Sequence, residues 1–350
     1  MSYCKAAWNN VHIQPNGKTS PCCAWPNNLE FDRAQVQTQM LNGDTVPGCT
    51  LCDNFELNSQ HSLRDYYNNK FTGDTAIESV DLSVDNVCNL QCVMCSSEYS
   101  HLNAHREKRF LGNSITGEVT VSNTAYTDID WSTVKYLKLF GGEPTYSPGI
   151  QKFLNWAEDV VDFSHIQLEI QTNNTLAPTA QLDALYRRCA SVKVVASVDG
   201  TDDVNNLVRQ GTNSAQCYDY WQSIPGAELR IHSAVGIYNA LDLQPFQQWI
   251  AQHRPLWTHD YEMIQSPDYL NLQHMPNELK TLYAEHPMPD DVHNWMMTPA
   301  TDLWSVFCTV HHAMHSMYNM QLHTANPVLW QYMQHNNPSV NLATVRERYT

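Results

Sequence analysis

The sequence predicts an α/β fold: a partial TIM-like barrel of about six β/α units, (β/α)6, with a small Cys-rich module before it and a helical extension after it. Two observations carry this. From about residue 76 onward, short β-branched and apolar runs alternate with amphipathic stretches, the pattern of parallel strands joined by crossover helices. Polar and glycine-bearing segments stand at the C-terminal ends of those runs, where barrels build their sites. An open doubly wound sheet is the alternative reading of the same alternation.

The strand-like runs are "ESVDLSV" (78–84), "VKYLKLF" (134–140), "IQLEIQT" (166–172), "VKVVASV" (192–198) and "LRIHSAV" (229–235), with a weaker sixth, "DYEMIQ", from Asp260. Between them lie "GIQKFLNWAEDVV", "TAQLDALYRRC", "DDVNNLVRQ" and "LQPFQQWIAQH", each with apolar residues at helical spacing. The flanks break this rhythm. Residues 1–75 are rich in Cys, Asn, Pro and Gly, and residues 276–350 are rich in His, Met and Trp. The expected division is therefore 1–75, 76–275 and 276–350.

The chain has 350 residues, 42% of them hydrophobic, which is enough for a sizeable core. Thirty-six acidic against 20 basic residues give a net charge of −16, and no Lys/Arg cluster interrupts it, so a nucleic-acid surface is not expected. The first residues lack a signal-peptide pattern and no apolar run reaches about 18 residues, so a cytoplasmic location and no membrane partner are expected. Eleven cysteines are present, and the eight before position 96 are clustered. Where disulfides are disfavoured, clustered cysteines read as metal ligands. Cys189, Cys217 and Cys308 are scattered and read as small buried hydrophobes.

The first strand leads into "VDNVCNLQCVMCSSE", with Cys88, Cys92 and Cys95 in eight residues. Structural zinc and ordinary iron–sulfur clusters take four protein ligands. Three thiolates at this spacing can hold three irons of a [4Fe–4S] cube, leaving the fourth iron open to a small molecule. A zinc site completed by His101 or His105 is the alternative.

This motif resembles the signature of the radical S-adenosylmethionine (SAM) superfamily. Met94 stands before the last cysteine, where an aromatic residue is common, and the resemblance makes it an adenine contact. "LFGGEP" (139–144) resembles the family's methionine-binding segment. Gly141 and Gly142 then allow close backbone approach, Glu143 takes a charge-assisted hydrogen bond from the SAM ammonium, and Pro144 closes the motif. "QTNNT" resembles a TNG segment, with Asn173 as a SAM contact and Asn174 in place of glycine, a residue that tolerates left-handed backbone. "SVDGTDD" is similar to a family S-x-D-G, which makes Ser197 and Asp199 ribose contacts and Arg209 a partner of the SAM carboxylate. The resemblance spans about residues 78–265.

Before the barrel, Cys4, Cys22 and the pair Cys49-x-x-Cys52 can form a four-thiolate site, with Gly17 in a hairpin turn that brings Cys4 and Cys22 together. Cys23 competes with Cys22 for the ligand role. The pattern resembles the auxiliary-cluster module of SPASM and twitch proteins, here preceding the barrel instead of following it. That implies an auxiliary [4Fe–4S] cluster; a zinc ribbon is the alternative. Near the C-terminus, His311 and His315 share a helix face, but the Glu of an H-E-x-x-H motif is absent, so packing is the expected role.

The resemblance implies an enzyme that cleaves SAM reductively and abstracts a hydrogen atom from a peptide or protein side chain. It also implies a low-potential electron donor such as flavodoxin or ferredoxin. A small-molecule oxidoreductase or epimerase is a second possibility, and a non-catalytic metal-binding interaction protein a third.

Overall fold

In the computed structural model the described residues are 3–26, 28–57, 61–71, 76–111, 124–212, 216–338 and 340–349. Ten strands are present among them. β1 (Asn10–Ile13) and β2 (Thr19–Ser20) precede β3 (Ser79–Leu82) and β4 (Gln91–Cys92). β5 (Tyr136–Leu139), β6 (Gln167–Thr172) and β7 (Ser191–Ser197) follow, then β8 (Arg209–Gln210), β9 (Glu228–Val235) and β10 (Thr258–Met263).

Eight of these form one sheet in the order β10-β9-β7-β6-β5-β3-β1-β2, while β4 and β8 pair separately. From β3 to β10 each strand lies beside the next sheet strand in sequence. That single direction of winding is the order of a (β/α) barrel; a doubly wound sheet reverses at a switch point. The pairs β1–β3, β3–β5, β5–β6 and β9–β10 are parallel. All six anticipated runs are strands. The anticipated helices are Pro148–Ala157, Ala180–Arg188, Asp202–Val208 and Leu243–His253. One expectation changes: Arg209 and Gln210, the end of the "DDVNNLVRQ" stretch, leave the helix and form β8.

The chain divides into two compact units. The first comprises Met1–Asn86, Val119–Gln171 and Pro178–Lys193; the second Val87–Glu118, Thr172–Ala177 and Val194–Thr350.

In the first unit, β3, β5 and β6 bury Val80, Leu82, Leu137, Leu139, Leu168 and Ile170 on one face. Parallel sheets usually bury apolar residues on both faces. Here the other face is charged: Asp81, Lys138 and Glu169 stand in register. Burial pushes the Glu169 carboxyl up, but Lys138 and Lys193 outweigh it and hold the group below its usual range. The segment before β3 is not strand-free. β1 joins the sheet beside β3, and its polar side chains find partners, with Asn10 Nδ2 donating to Asp81 Oδ2 at 3.0 Å. β1 and β2 make the anticipated hairpin, with Gly17 at φ +87° in its turn.

In the second unit, residues beyond 275 share a core with those before it: Val235, Ile237, Leu243, Phe307, Val310 and Met333 belong to one buried cluster. His311 is buried and pairs with the Tyr238 hydroxyl at 2.9 Å, and His315 Nδ1 lies 3.0 Å from the Met320 carbonyl. Both serve packing. Cys308 is fully buried as anticipated, whereas Cys189 and Cys217 are only partly so. No helix among the described residues is long and apolar enough to cross a membrane.

Candidate metal centre and ligand-binding segments

The loop holding Cys88, Cys92 and Cys95 is pinned at its middle by β4. Its residues pair antiparallel with β8, and Cys92 stands opposite Arg209. The three cysteines pack with Leu90 and Met94. N–H groups are turned toward the sulfurs: the Leu90 amide donates to Cys88 Sγ at 3.4 Å, Arg209 Nη1 lies 3.8 Å from Cys92 Sγ, and Asn173 Nδ2 lies 4.0 Å from Cys88 Sγ. Burial pushes the Cys95 thiol up to about 12 and raises that of Cys92 against the opposing pull of Arg209. Without a metal these groups are therefore neutral thiols, and a bound metal is what would hold them as thiolates.

Buried thiols, N–H donors aimed at sulfur and a cation at hand are the surroundings an iron–sulfur cluster uses to stabilise and tune its ligands. The residues fit such a group. Among the described residues no three Cys, His, Asp or Glu side chains meet closely enough to grip one ion. A cube asks for less convergence, because each thiolate binds a separate iron. His101 lies near the loop, its Nδ1 3.4 Å from the Cys88 amide.

The helix Asn103–Leu111 and the turn before it tie the loop down. Ser100 Oγ donates to the Leu90 carbonyl at 2.8 Å, and Asn103 Nδ2 to that of Cys95 at 3.1 Å. Glu107 accepts from the Ser97 amide at 2.6 Å and from its hydroxyl. Arg106 donates to the Cys92 carbonyl at 2.8 Å and to the Cys95 carbonyl. Sequence reasoning passed over Arg106 and Glu107. The available signal was an Arg-Glu pair in an amphipathic segment just after the cysteines.

The other anticipated segments each leave the end of a strand. After β5, Gly141 has φ +113°, a conformation that disfavours any side chain, and an added Cβ would lie 2.0 Å from Ser83 Oγ. Gly141→Ala is therefore expected to cost about 2 kcal/mol or more, read as a lower urea midpoint with an unchanged m-value. Glu143 is 1% exposed, and its Oε1 accepts from the Thr145 amide at 3.1 Å and hydroxyl at 2.7 Å. Gly142 is partly exposed and Pro144 buried beside it.

After β6, Asn174 adopts φ 62°, the left-handed form anticipated for it. Asn173, Asn89 and Thr175 close a ring of hydrogen bonds beside Cys88: Asn173 Nδ2 to Asn89 Oδ1 at 2.7 Å, Asn89 Nδ2 to Thr175 Oγ1 at 2.9 Å, and Thr175 Oγ1 to Asn173 Oδ1 at 2.6 Å. After β7, Ser197 is 8% and Asp199 2% exposed. Asp199 pairs with Arg209 at 2.8 Å and accepts from the Ala234 amide at 2.9 Å. Arg209 thus bridges Asp199 and Cys92. Met94 and Cys95 line a largely apolar cavity with Phe110, Pro267 and Tyr269.

In the first unit, Cys4, Cys22, Cys49 and Cys52 all line one cavity, with Trp25 and Tyr67 among its other walls. Cys23 is exposed and does not line it. Burial pushes the Cys4 thiol up to about 12 and that of Cys22 well above its ordinary value, and neighbouring thiols add to both shifts. Arg64, 4% exposed, stands beside Cys49 and is paired with Asp53 and Glu56, each at 2.6 Å. Four thiols lining one cavity beside a cation suit a cube, in which each thiolate takes its own iron; among the described residues they do not meet closely enough to grip a single zinc ion as they stand.

No known protein-family profile matches the chain, and no curated protein does. Among solved structures, the chain is similar to His-tagged anSMEcpe with bound AdoMet, at 16% identity and TM-score 0.40, over 57% of this chain and 57% of that one. It is similar to Streptococcus suis SuiB bound to S-adenosylmethionine, at 14% identity and TM-score 0.35, over 60% of this chain and 46% of that one. It is also similar to SuiB bound to the precursor peptide SuiA, at 13% identity and TM-score 0.38, over 87% of this chain and 59% of that one. The chain spans less than two thirds of the length of each, and likeness at this level assigns no activity.

Proposed function

We propose that this chain is a radical SAM enzyme that modifies a peptide or protein side chain. One observation carries the reading: Cys88, Cys92 and Cys95 share a buried loop with N–H donors turned toward sulfur and Arg209 at Cys92. In this reading they hold a [4Fe–4S] cluster with one iron open to SAM. Held there, the cluster would supply the one-electron reduction of the SAM sulfonium that breaks its S–C5′ bond to methionine and a 5′-deoxyadenosyl radical, the species that would take a hydrogen atom from the substrate.

The chain's own residues bind and orient. Gly141 and Gly142 expose backbone to the methionine end of SAM, with Pro144 ending the turn, and Glu143 accepts a hydrogen bond from the ammonium. Asn173, Ser197, Asp199 and Arg209 hold the ribose and carboxylate. Arg209 then divides its guanidinium between Asp199, Cys92 and the ligand. Met94 offers its side chain to adenine, and the apolar cavity beside it keeps water out. SAM is also the ligand in anSMEcpe and SuiB, but the reading rests on these residues. Residues 1–75 would form an auxiliary-cluster module of the SPASM/twitch kind, 76–275 the catalytic barrel and 276–350 a helical cover. A flavodoxin or ferredoxin would supply electrons in the cytoplasm.

Anaerobically reconstituted protein with dithionite and SAM is expected to release 5′-deoxyadenosine. A loaded, reduced protein that leaves SAM intact would end the proposal. Glu143→Ala is expected to weaken SAM binding roughly ten- to a hundredfold, the loss of one charge-assisted hydrogen bond of about 1.5–3 kcal/mol, with cluster absorbance unchanged. Equal SAM affinity in the two proteins, measured by equilibrium dialysis, would take Glu143 out of the site.

The auxiliary site keeps a second reading as zinc, the other ion a four-cysteine set takes, which would require the four thiols to draw closer together.

A further inference from the structure

Arg64 and Arg106 are the buried arginines among the described residues, each 4% exposed. Their charges are treated differently. Arg64 has Asp53 and Glu56 against it. Arg106 forms no ion pair with a described carboxylate within 4 Å; its Nη1 and Nη2 donate instead to the backbone carbonyls of Cys92 and Cys95. Its sequence neighbour Glu107 turns to Ser97. Arg209, the other cation at the loop, already has Asp199.

A buried charge without a counter-charge is costly even after the surroundings relax. Two backbone carbonyls satisfy the guanidinium's hydrogen bonds but leave its charge standing. Both carbonyls belong to residues whose side chains are thiols, so an anion gathered by those sulfurs would sit within the field of Arg106. A cube held by three thiolates is such an anion, since the ligands outweigh the charge of the core, and each added electron makes it more negative.

We propose that Arg106 is the fixed counter-charge of the cysteine-loop cluster, a positioning residue that holds the ligand-bearing backbone and makes one-electron reduction easier. This rests on the cluster reading proposed above. It assigns Arg106 two separable jobs: its charge favours the reduced cluster, and its paired N–H groups keep Cys92 and Cys95 in place.

The test compares the full-length protein with Arg106→Lys and Arg106→Gln, each made and reconstituted without oxygen. Two quantities are read: the midpoint of the electron-paramagnetic-resonance signal that changes on adding SAM, and the rate of iron loss to a chelator. Arg106→Gln removes the charge and is expected to move the midpoint to more negative potential. Iron loss should quicken by on the order of ten- to a hundredfold, the usual scale for groups supporting metal ligands. Arg106→Lys keeps the charge but cannot fork to both carbonyls, so its midpoint should stay near that of the wild type while iron is lost faster. Arg106→Gln with wild-type midpoint and iron retention overturns the proposal. So does a midpoint in Arg106→Lys as negative as that of the Gln variant. If the Gln variant does not fold, Arg106→Lys decides alone: a midpoint near wild type supports the assignment and a negative shift overturns it. A wild-type protein that forms no SAM-responsive cluster sinks the underlying reading instead, before either variant is compared.

Discussion

Replacing Cys92 with alanine is expected to abolish 5′-deoxyadenosine release and to remove the loop's iron. Cys92 is 7% exposed, is held in β4 and stands opposite Arg209, so its sulfur cannot be replaced by a shift of the loop. No further cysteine lies in the stretch between Cys95 and Cys189. His101 is turned to the Cys88 amide, so a substitute ligand there would first have to give up that contact. Two thiolates cannot retain a cube that must also keep one iron open, and without the cube there is no electron path to the sulfonium. The loss should thus be complete rather than graded. Circular dichroism should still report a folded chain, because the eight-stranded sheet does not include β4, where the substitution lies. Iron and released nucleoside are measured on the same sample. Continued cleavage by the folded, iron-depleted variant would mean that another group reduces SAM.

The parts legible in the sequence were those whose signal is local. The run 192–198 carries four valines in seven residues, and β7 covers all but its last position. Cysteine spacing is likewise a local property, so the loop and the N-terminal thiol set could be read before any fold was known. Asn174 belongs with these, since the left-handed conformation is a preference of the residue itself. What escaped depends on partners far along the chain. In β1, "NVHI" carries Asn10 and His12 into full burial, and nothing in that local pattern signals that the hairpin strand joins the main sheet beside β3. Asn10 Nδ2 finds Asp81 and His12 Nδ1 finds Ser20 only after folding. Arg209 continues an amphipathic helical pattern, yet pairing with Cys92 pulls it into β8; tertiary contact overrides local propensity there. Arg106 was passed over for the same reason. Its function is set by two carbonyls that only the folded loop presents.

The N-terminal thiols lead to the second large effect, on metal content and folding together. Wild-type protein made without oxygen is expected to carry about eight irons per chain if both sites hold cubes, about four at each. A variant lacking Cys88, Cys92 and Cys95 should keep about four. Adding Cys49→Ala and Cys52→Ala should remove the rest and loosen the segment before β3. The physical reason is that, beyond the pairing of β1 with β3, this segment rests on a small buried cluster, built from residues such as Ala6, Ala7, Trp25 and Val46, into which its own cysteines pack. Metal binding in such a module is folding energy, about 10–16 kcal/mol for small structural zinc domains. Faster proteolysis before residue 75, with the barrel intact, is the expected readout. Single substitutions sharpen the ligand assignment. Cys22→Ala should lose the auxiliary metal, because Cys22 lines the cavity shared with Cys4, Cys49 and Cys52; Cys23→Ala should keep it, because Cys23 is exposed. The reverse outcome would put Cys23 in the ligand set and require the hairpin end to rotate. One zinc and no iron in the triple-cysteine variant would convert the auxiliary site to a redox-inert structural ion, which cannot accept an electron from a substrate radical, and would leave the loop cluster as the protein's sole redox centre.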